Sequence, residues 1–167
     1  MNKHYENYPV WIPALSILLS LSIYSLGAII LSGFGQITVI LYLLFCLWSE
    51  YRVLAGACRS CYYYGKLCGP GKGIIAPLFF KKDDPKKFTA KVFGWRDLVP
   101  DLLLFLIPFL GGLVYLFVHF NWLTLVLMIA NAILAFPVTG YMRGTLLCPN
   151  CKQRELGCPA EKLFAKK

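Results

Sequence analysis

Apolar positions in this chain are gathered into two long charge-free runs. Residues 7–49 contain no Asp, Glu, Lys, Arg or His, and residues 102–142 contain one such residue, His119. A helix crossing a bilayer needs about 20 apolar residues, so each run is long enough for two crossings and a tight turn. The pattern predicts helices over 10–32, 35–56, 98–119 and 122–144. "SGFGQ" (32–36) supplies the first turn and "HFNW" (119–122) the second. The first run is too long for a signal peptide, and no small-residue cleavage site follows it. The expected fold is therefore an all-α integral membrane protein, with four transmembrane helices arranged as two hairpins.

Breaks in the apolar pattern predict local features. Pro108, Gly111, Gly112 and Pro137 permit kinks in the third and fourth helices. Asp97 and Asp101 flank Pro100 where the third helix starts, an arrangement the helix dipole favours. Asp101 and Asn131 are the candidate intramembrane polar site. Asn131 is expected to hydrogen-bond across to another helix, such as a serine of the first. Ser16 and Ser20, four residues apart, let helices approach closely. Cys46 reads as a small buried apolar side chain.

Charge adds an orientation. The chain of 167 residues is 58% hydrophobic and 15% charged, with a net charge of +9. Both hairpin turns lack Lys and Arg. The segment 50–101 carries Arg52, Arg59, Lys66, Lys72, Lys81, Lys82, Lys86, Lys87, Lys91 and Arg96, and the tail adds Arg143, Lys152, Arg154, Lys162, Lys166 and Lys167. The positive-inside rule then places both termini and the middle loop in the cytoplasm, at the cell membrane in a prokaryote. The basic residues are expected to meet anionic lipid rather than nucleic acid. In "IIAPLFFKKDDPKKF" (74–88), Phe79, Phe80 and Phe88 would sit in the interface while Lys81, Lys82, Lys86 and Lys87 face lipid phosphates. The same segment could instead dock a membrane or cytoplasmic protein partner, or a second copy of the chain.

The cysteines supply the candidate chemistry. "CRSCYYYGKLC" (58–68) and "CPNCKQRELGC" (148–158) share one C-x2-C-x6-C spacing, and each follows a hairpin. Tyr51 and Tyr141 lie seven residues ahead of their motifs, each followed closely by an Arg. The halves read as an internal repeat, related by an axis along the membrane normal. The corresponding domains are 1–57 (first hairpin), 58–97 (cysteine motif and basic loop), 98–147 (second hairpin) and 148–167 (cysteine motif and tail). Cytoplasmic thiols stay reduced, so these spacings read as metal binding rather than disulfides. The two motifs are expected to meet in a small metal-binding cap. Zinc takes four ligands in a structural site. Cys58, Cys61, Cys148 and Cys151 could close one such site, leaving Cys68 and Cys158 over. Alternatively all six thiols could hold two ions. An iron–sulfur cluster is the competing cofactor, although the C-x2-C-x2-C run of ferredoxins is absent. His4 and His119 are not expected to be ligands.

The paired spacing resembles the six-cysteine binuclear zinc cluster of fungal transcription factors. The resemblance covers two eleven-residue stretches. That family joins its halves by a short loop, whereas residues 69–147 intervene here. It implies six ligands, Cys58, Cys61, Cys68, Cys148, Cys151 and Cys158, with Cys58 and Cys148 bridging two zinc ions.

"GPGKG" (69–73) after Cys68 is not a P-loop; it reads as a flexible exit from the first motif, with a phosphate-wrapping turn as the alternative. Tyr62, Tyr63 and Tyr64 read as interfacial aromatics and as a lid over the metal. No nucleophile–base pair, carboxylate dyad or cofactor fingerprint is seen. The expected function is non-enzymatic: a zinc-clamped membrane module that presents a docking surface. A membrane redox protein and a small oligomeric transporter are the alternatives.

Overall fold

The computed structural model describes residues 4–90 and 94–159, with Arg96 described by its backbone only. Lys91, Lys162, Lys166 and Lys167, counted above for orientation, lie outside the described residues. Among the described residues the chain is helical, and the only strand-like pairing is an isolated bridge between Tyr5 and Cys151. Four stretches are long and apolar enough to cross a membrane: Trp11–Phe34, Gln36–Ser60, Asp97–Val118 and Trp122–Leu147. Their side chains are too exposed to form a water-excluding core. Leu18, Ile37 and Phe117 are 61%, 76% and 84% exposed. Surface of this kind needs a hydrocarbon solvent.

The first hairpin follows its sequence closely. Helix α1 (Trp11–Leu31) tightens into a 3-10 turn, Ser32–Phe34, and Gly35 reverses the chain at φ 105° before α2 (Gln36–Gly56). The left-handed φ is open to glycine without a Cβ penalty. After a 3-10 turn at Cys58–Ser60 come two short helices, α3 (Lys72–Phe79) and α4 (Pro85–Ala90).

The second hairpin departs from expectation at both ends. Helix α5 (Trp95–Val118) starts three residues early, with Asp97 in the first turn, where the helix dipole favours an acid. The last span is not one regular helix. Helix α6 (Trp122–Ile133), capped by the Asn121 side chain on Leu123 N–H at 2.9 Å, gives way to a π turn at Leu134–Val138. Pro137 is the cause: it has no N–H to donate and its ring clashes with the carbonyl four residues back. Thr139 Oγ1 donates to the widened Leu134 carbonyl at 2.8 Å. Then come α7 (Thr139–Met142) and a second π turn, Arg143–Leu147, which delivers the chain to Cys148. A last short helix, α8, covers Lys152–Glu155.

The chain forms two compact units, residues 18–50 with 96–140, and residues 1–17 with 51–95 and 141–167. The first is purely helical. Its core cluster is Leu31, Tyr42 and Cys46, packed by Tyr24, Ala28, Leu104 and Ile107. Cys46 is thus a buried core side chain, as its apolar surroundings implied. Glycine sets the spacing within this unit. A Cβ on Gly112 of α5 would lie 2.6 Å from Met128 Sδ and 2.8 Å from Ile30, so α5 passes α1 and α6 at near-backbone contact. The Tyr42 hydroxyl donates to Leu104 O at 3.0 Å, and the Tyr24 hydroxyl to Glu50 Oε1 at 2.6 Å.

Asn131 corrects one expectation. Its side chain is 1% exposed, and neither amide atom has a hydrogen-bond partner. The predicted bond to a neighbouring helix is absent among the described residues, although the amide lies on the buried stripe of α6 with Thr124 and Met128. Asp101 is exposed on α5, with its Oδ1 3.4 Å from Ser49 Oγ.

A candidate thiol site

The second unit contains all six motif cysteines, and its parts are tied by hydrogen bonds over long sequence distances. Residues 4–9, ahead of α1, form the seam. Tyr5 N–H donates to Asn150 O at 3.0 Å, and Tyr8 N–H donates to Leu67 O at 3.1 Å. The Tyr8 hydroxyl donates to Leu147 O at 2.6 Å. Tyr63 joins three segments: its hydroxyl donates to Tyr5 O at 2.5 Å and accepts from Lys152 N–H at 2.9 Å. Tyr62 N–H donates to Gln153 Oε1 at 2.7 Å. The two cysteine motifs therefore meet directly.

Each motif turns in the same way. Cys61 N–H reaches Cys58 O at 3.4 Å and Tyr64 N–H reaches Cys61 O at 3.1 Å; in the second motif Cys151 N–H reaches Cys148 O at 3.3 Å and Arg154 N–H reaches Cys151 O at 3.1 Å. Successive turns bring main-chain N–H groups onto the sulfurs. Tyr63 N–H serves Cys61, and Gln153 and Arg154 N–H groups serve Cys151. Cys68 has the fullest set, with N–H groups of Gly71, Lys72 and Gly73 converging on Sγ, the last at 3.1 Å. "GPGKG" is thus an ordered cradle around a sulfur, neither a flexible exit nor a phosphate loop. Gly71 has φ 78°, and a Cβ on Gly73 would run into the Tyr63 and Lys66 carbonyl oxygens.

Burial opposes ionisation of these thiols. It pushes Cys61 up to about 12, with the neighbouring Cys151, Cys68 and Cys58 adding to the shift and the Tyr63 N–H opposing it. Cys68 and Cys151 are raised for the same first reason, against their N–H donors. Since the thiolate is the nucleophile and the metal ligand, these sulfurs are inert unless a cation joins them. None of the seven cysteines is in a disulfide; Cys68 is buried, Cys148 exposed, and Cys58, Cys61, Cys151 and Cys158 half-buried. Among the described residues, no group of three or more His, Cys, Asp or Glu side chains is arranged to hold a metal ion.

Other predicted residues separate by role. Tyr63 is 2% exposed and acts as a bridge rather than a lid; the Tyr64 hydroxyl donates to Phe80 O at 2.7 Å. Phe79 is 66% exposed, whereas Phe80 packs on Tyr51 with ring centroids 5.3 Å apart. Lys81, Lys82, Lys86 and Lys87 do not act as one group: Lys87 is held by Asp83 at 2.8 Å, which also binds Arg59 at 3.1 Å. Sequence reasoning missed Tyr5, Tyr8 and Gln153, whose partners lie far away along the chain. It also set aside His4. His4 Nε2 lies 3.2 Å from Glu155 Oε1, and Nδ1 is buried without a hydrogen-bond partner. A carboxylate on one ring nitrogen and a free lone pair on the other is how ligating histidines are commonly held.

No family model, curated protein or solved structure matches this chain.

Proposed function

We propose that the chain is a multi-pass integral membrane protein whose two duplicated hairpins are clamped by a cytoplasmic thiolate zinc site, and that the clamped unit presents a docking surface to a protein partner. The observation that carries this reading is the set of N–H donors already aimed at Cys61, Cys68 and Cys151. Charge-assisted N–H···S bonds are what a metal-bound thiolate needs from its surroundings. The matching turns of the two motifs support the duplication, and the bonds through Tyr63 and Gln153 support a shared site. A divalent ion would draw the thiols together, remove their protons and add its binding energy to folding. His4 offers one further donor. The basic segment 50–101, against turns that lack Lys and Arg, supports the cytoplasmic orientation.

Elemental analysis of the full chain in neutral detergent tests the site, with zinc expected in stoichiometric amount. Cys58→Ser and Cys148→Ser should release it, and Cys46→Ser should retain it. A metal-free wild type, or equal loss in all three variants, refutes the assignment, and a brown protein with visible absorption would replace zinc by an iron–sulfur cluster. After removal of metal by chelator, labelling of the exposed Cys148 by an impermeant maleimide in inside-out but not right-side-out vesicles tests the orientation.

A further inference from the structure

A second feature of the cysteine unit is independent of metal. A cavity of about 430 Å³ opens beside the first motif, within the size range of small-ligand sites. Cys61, Tyr62, Lys66, Lys82, Lys86 and Gln153 line it. Three lysines thus border one hollow, Lys82 and Lys86 among the exposed residues. None of the three forms an ion pair among the described residues; Asp83 is engaged by Arg59 and Lys87, and Glu6 by Lys152. The Asp84 carboxylate accepts from the Lys86 main-chain N–H. Lys66 Nζ is fixed over the Tyr62 ring, 4.4 Å from its centroid, and contacts the Tyr62 hydroxyl at 3.2 Å.

Gln153 gives the hollow a built wall. It is 4% exposed, and its Oε1 is consumed by Tyr62 N–H. Its amide nitrogen carries the two N–H groups that remain for a ligand in the cavity that Gln153 lines. Three cations and a neutral amide donor, with no acidic residue in the cavity lining, call for a compact acceptor carrying several oxygens and about two negative charges. A carboxylate offers a single charge and two oxygens; a phosphate monoester offers nearly two charges and three terminal oxygens.

We propose that this cavity binds a phosphate group, carried by a lipid headgroup or by a soluble phosphate compound. Lys66, Lys82 and Lys86 supply the charge, and the Gln153 amide nitrogen supplies a directed donor.

The full chain in phosphatidylcholine nanodiscs, with its metal content left as purified, is titrated with inorganic phosphate by ³¹P NMR. A parallel set of discs carries phosphatidic acid, and lipid retained on the detergent-extracted protein is counted. Binding in the first arm identifies a soluble ligand, binding in the second a headgroup, and either supports the site. Lys86→Gln and Gln153→Glu should each weaken binding about tenfold or more. The second variant keeps the acceptor for Tyr62 N–H while replacing the donor by a negative charge. Lys87→Gln, outside the cavity lining, should stay within about twofold of the parent, as an exposed pair contributes little. Absence of binding in both arms overturns the proposal. So does equal weakening by Lys87→Gln, which would mean diffuse surface charge. A wild type that binds phosphate but contains no zinc refutes the metal site alone, and a zinc-loaded wild type that binds no phosphate refutes this proposal alone, so the two readings fail separately.

Discussion

Replacing Asn131 by Leu should stabilise the protein. The amide is 1% exposed, both of its polar atoms lack partners, and it lies on the buried stripe of α6 with Thr124 and Met128. A buried polar atom left unpaired costs about 1–3 kcal/mol, and the amide has two. Leucine has the branched outline of asparagine but is the larger side chain, so accommodating it costs about 1–3 kcal/mol. The expected net gain is about 1–2 kcal/mol. For a chain of this size that is a rise in Tm of about 2–8 °C. The measurement is thermal unfolding in detergent, followed by circular dichroism. Asn131→Ala is the companion variant: it also removes the orphan amide but leaves a cavity, at a cost of up to several kcal/mol relative to Leu. Leu above wild type, with Ala below Leu, is the predicted order. A fall in Tm for Asn131→Leu refutes the reasoning, because it would mean that the amide is paired in the membrane and belongs to a working polar site.

Two further outcomes follow from the cysteine unit. Gly73→Ala drives a methyl group into the Tyr63 and Lys66 carbonyls; a loss of about 1–3 kcal/mol is expected, the range for overpacking, and unchanged thermal stability would sink the packing account. Tyr63→Phe leaves the Tyr5 carbonyl and the Lys152 N–H without their shared partner; hydrogen exchange at the Lys152 amide should accelerate, while the Tyr62 amide, held by Gln153, keeps more of its protection.

Membrane helices announce themselves in sequence because lipid removes the need for a polar face. That is why four spans could be read from charge-free runs alone. The interruption at Pro137 was visible, but its form was not: the missing Pro137 N–H frees the Ile133 carbonyl, and the residue pattern does not say whether a helix answers by kinking or by widening into a π turn. The cysteine unit was half legible. Spacing showed which thiols belong together, and the glycines after Cys68 marked a place where the backbone does something special. That the amides there would wrap the sulfur itself needed coordinates. Tyr5 and Tyr8 left no local signal, since their bonds go to main-chain groups far along the chain. Asn131 misled because a lone amide in an apolar helix usually finds a partner, and periodicity cannot tell whether one is in reach.

The seam formed by residues 5–8 has a bearing on the order of assembly. Its partners at 147, 150 and 152 are translated only after the second hairpin, so this unit cannot close while synthesis of that hairpin is under way. Until then the first cysteine motif lacks the hydrogen bonds that tie it to the second.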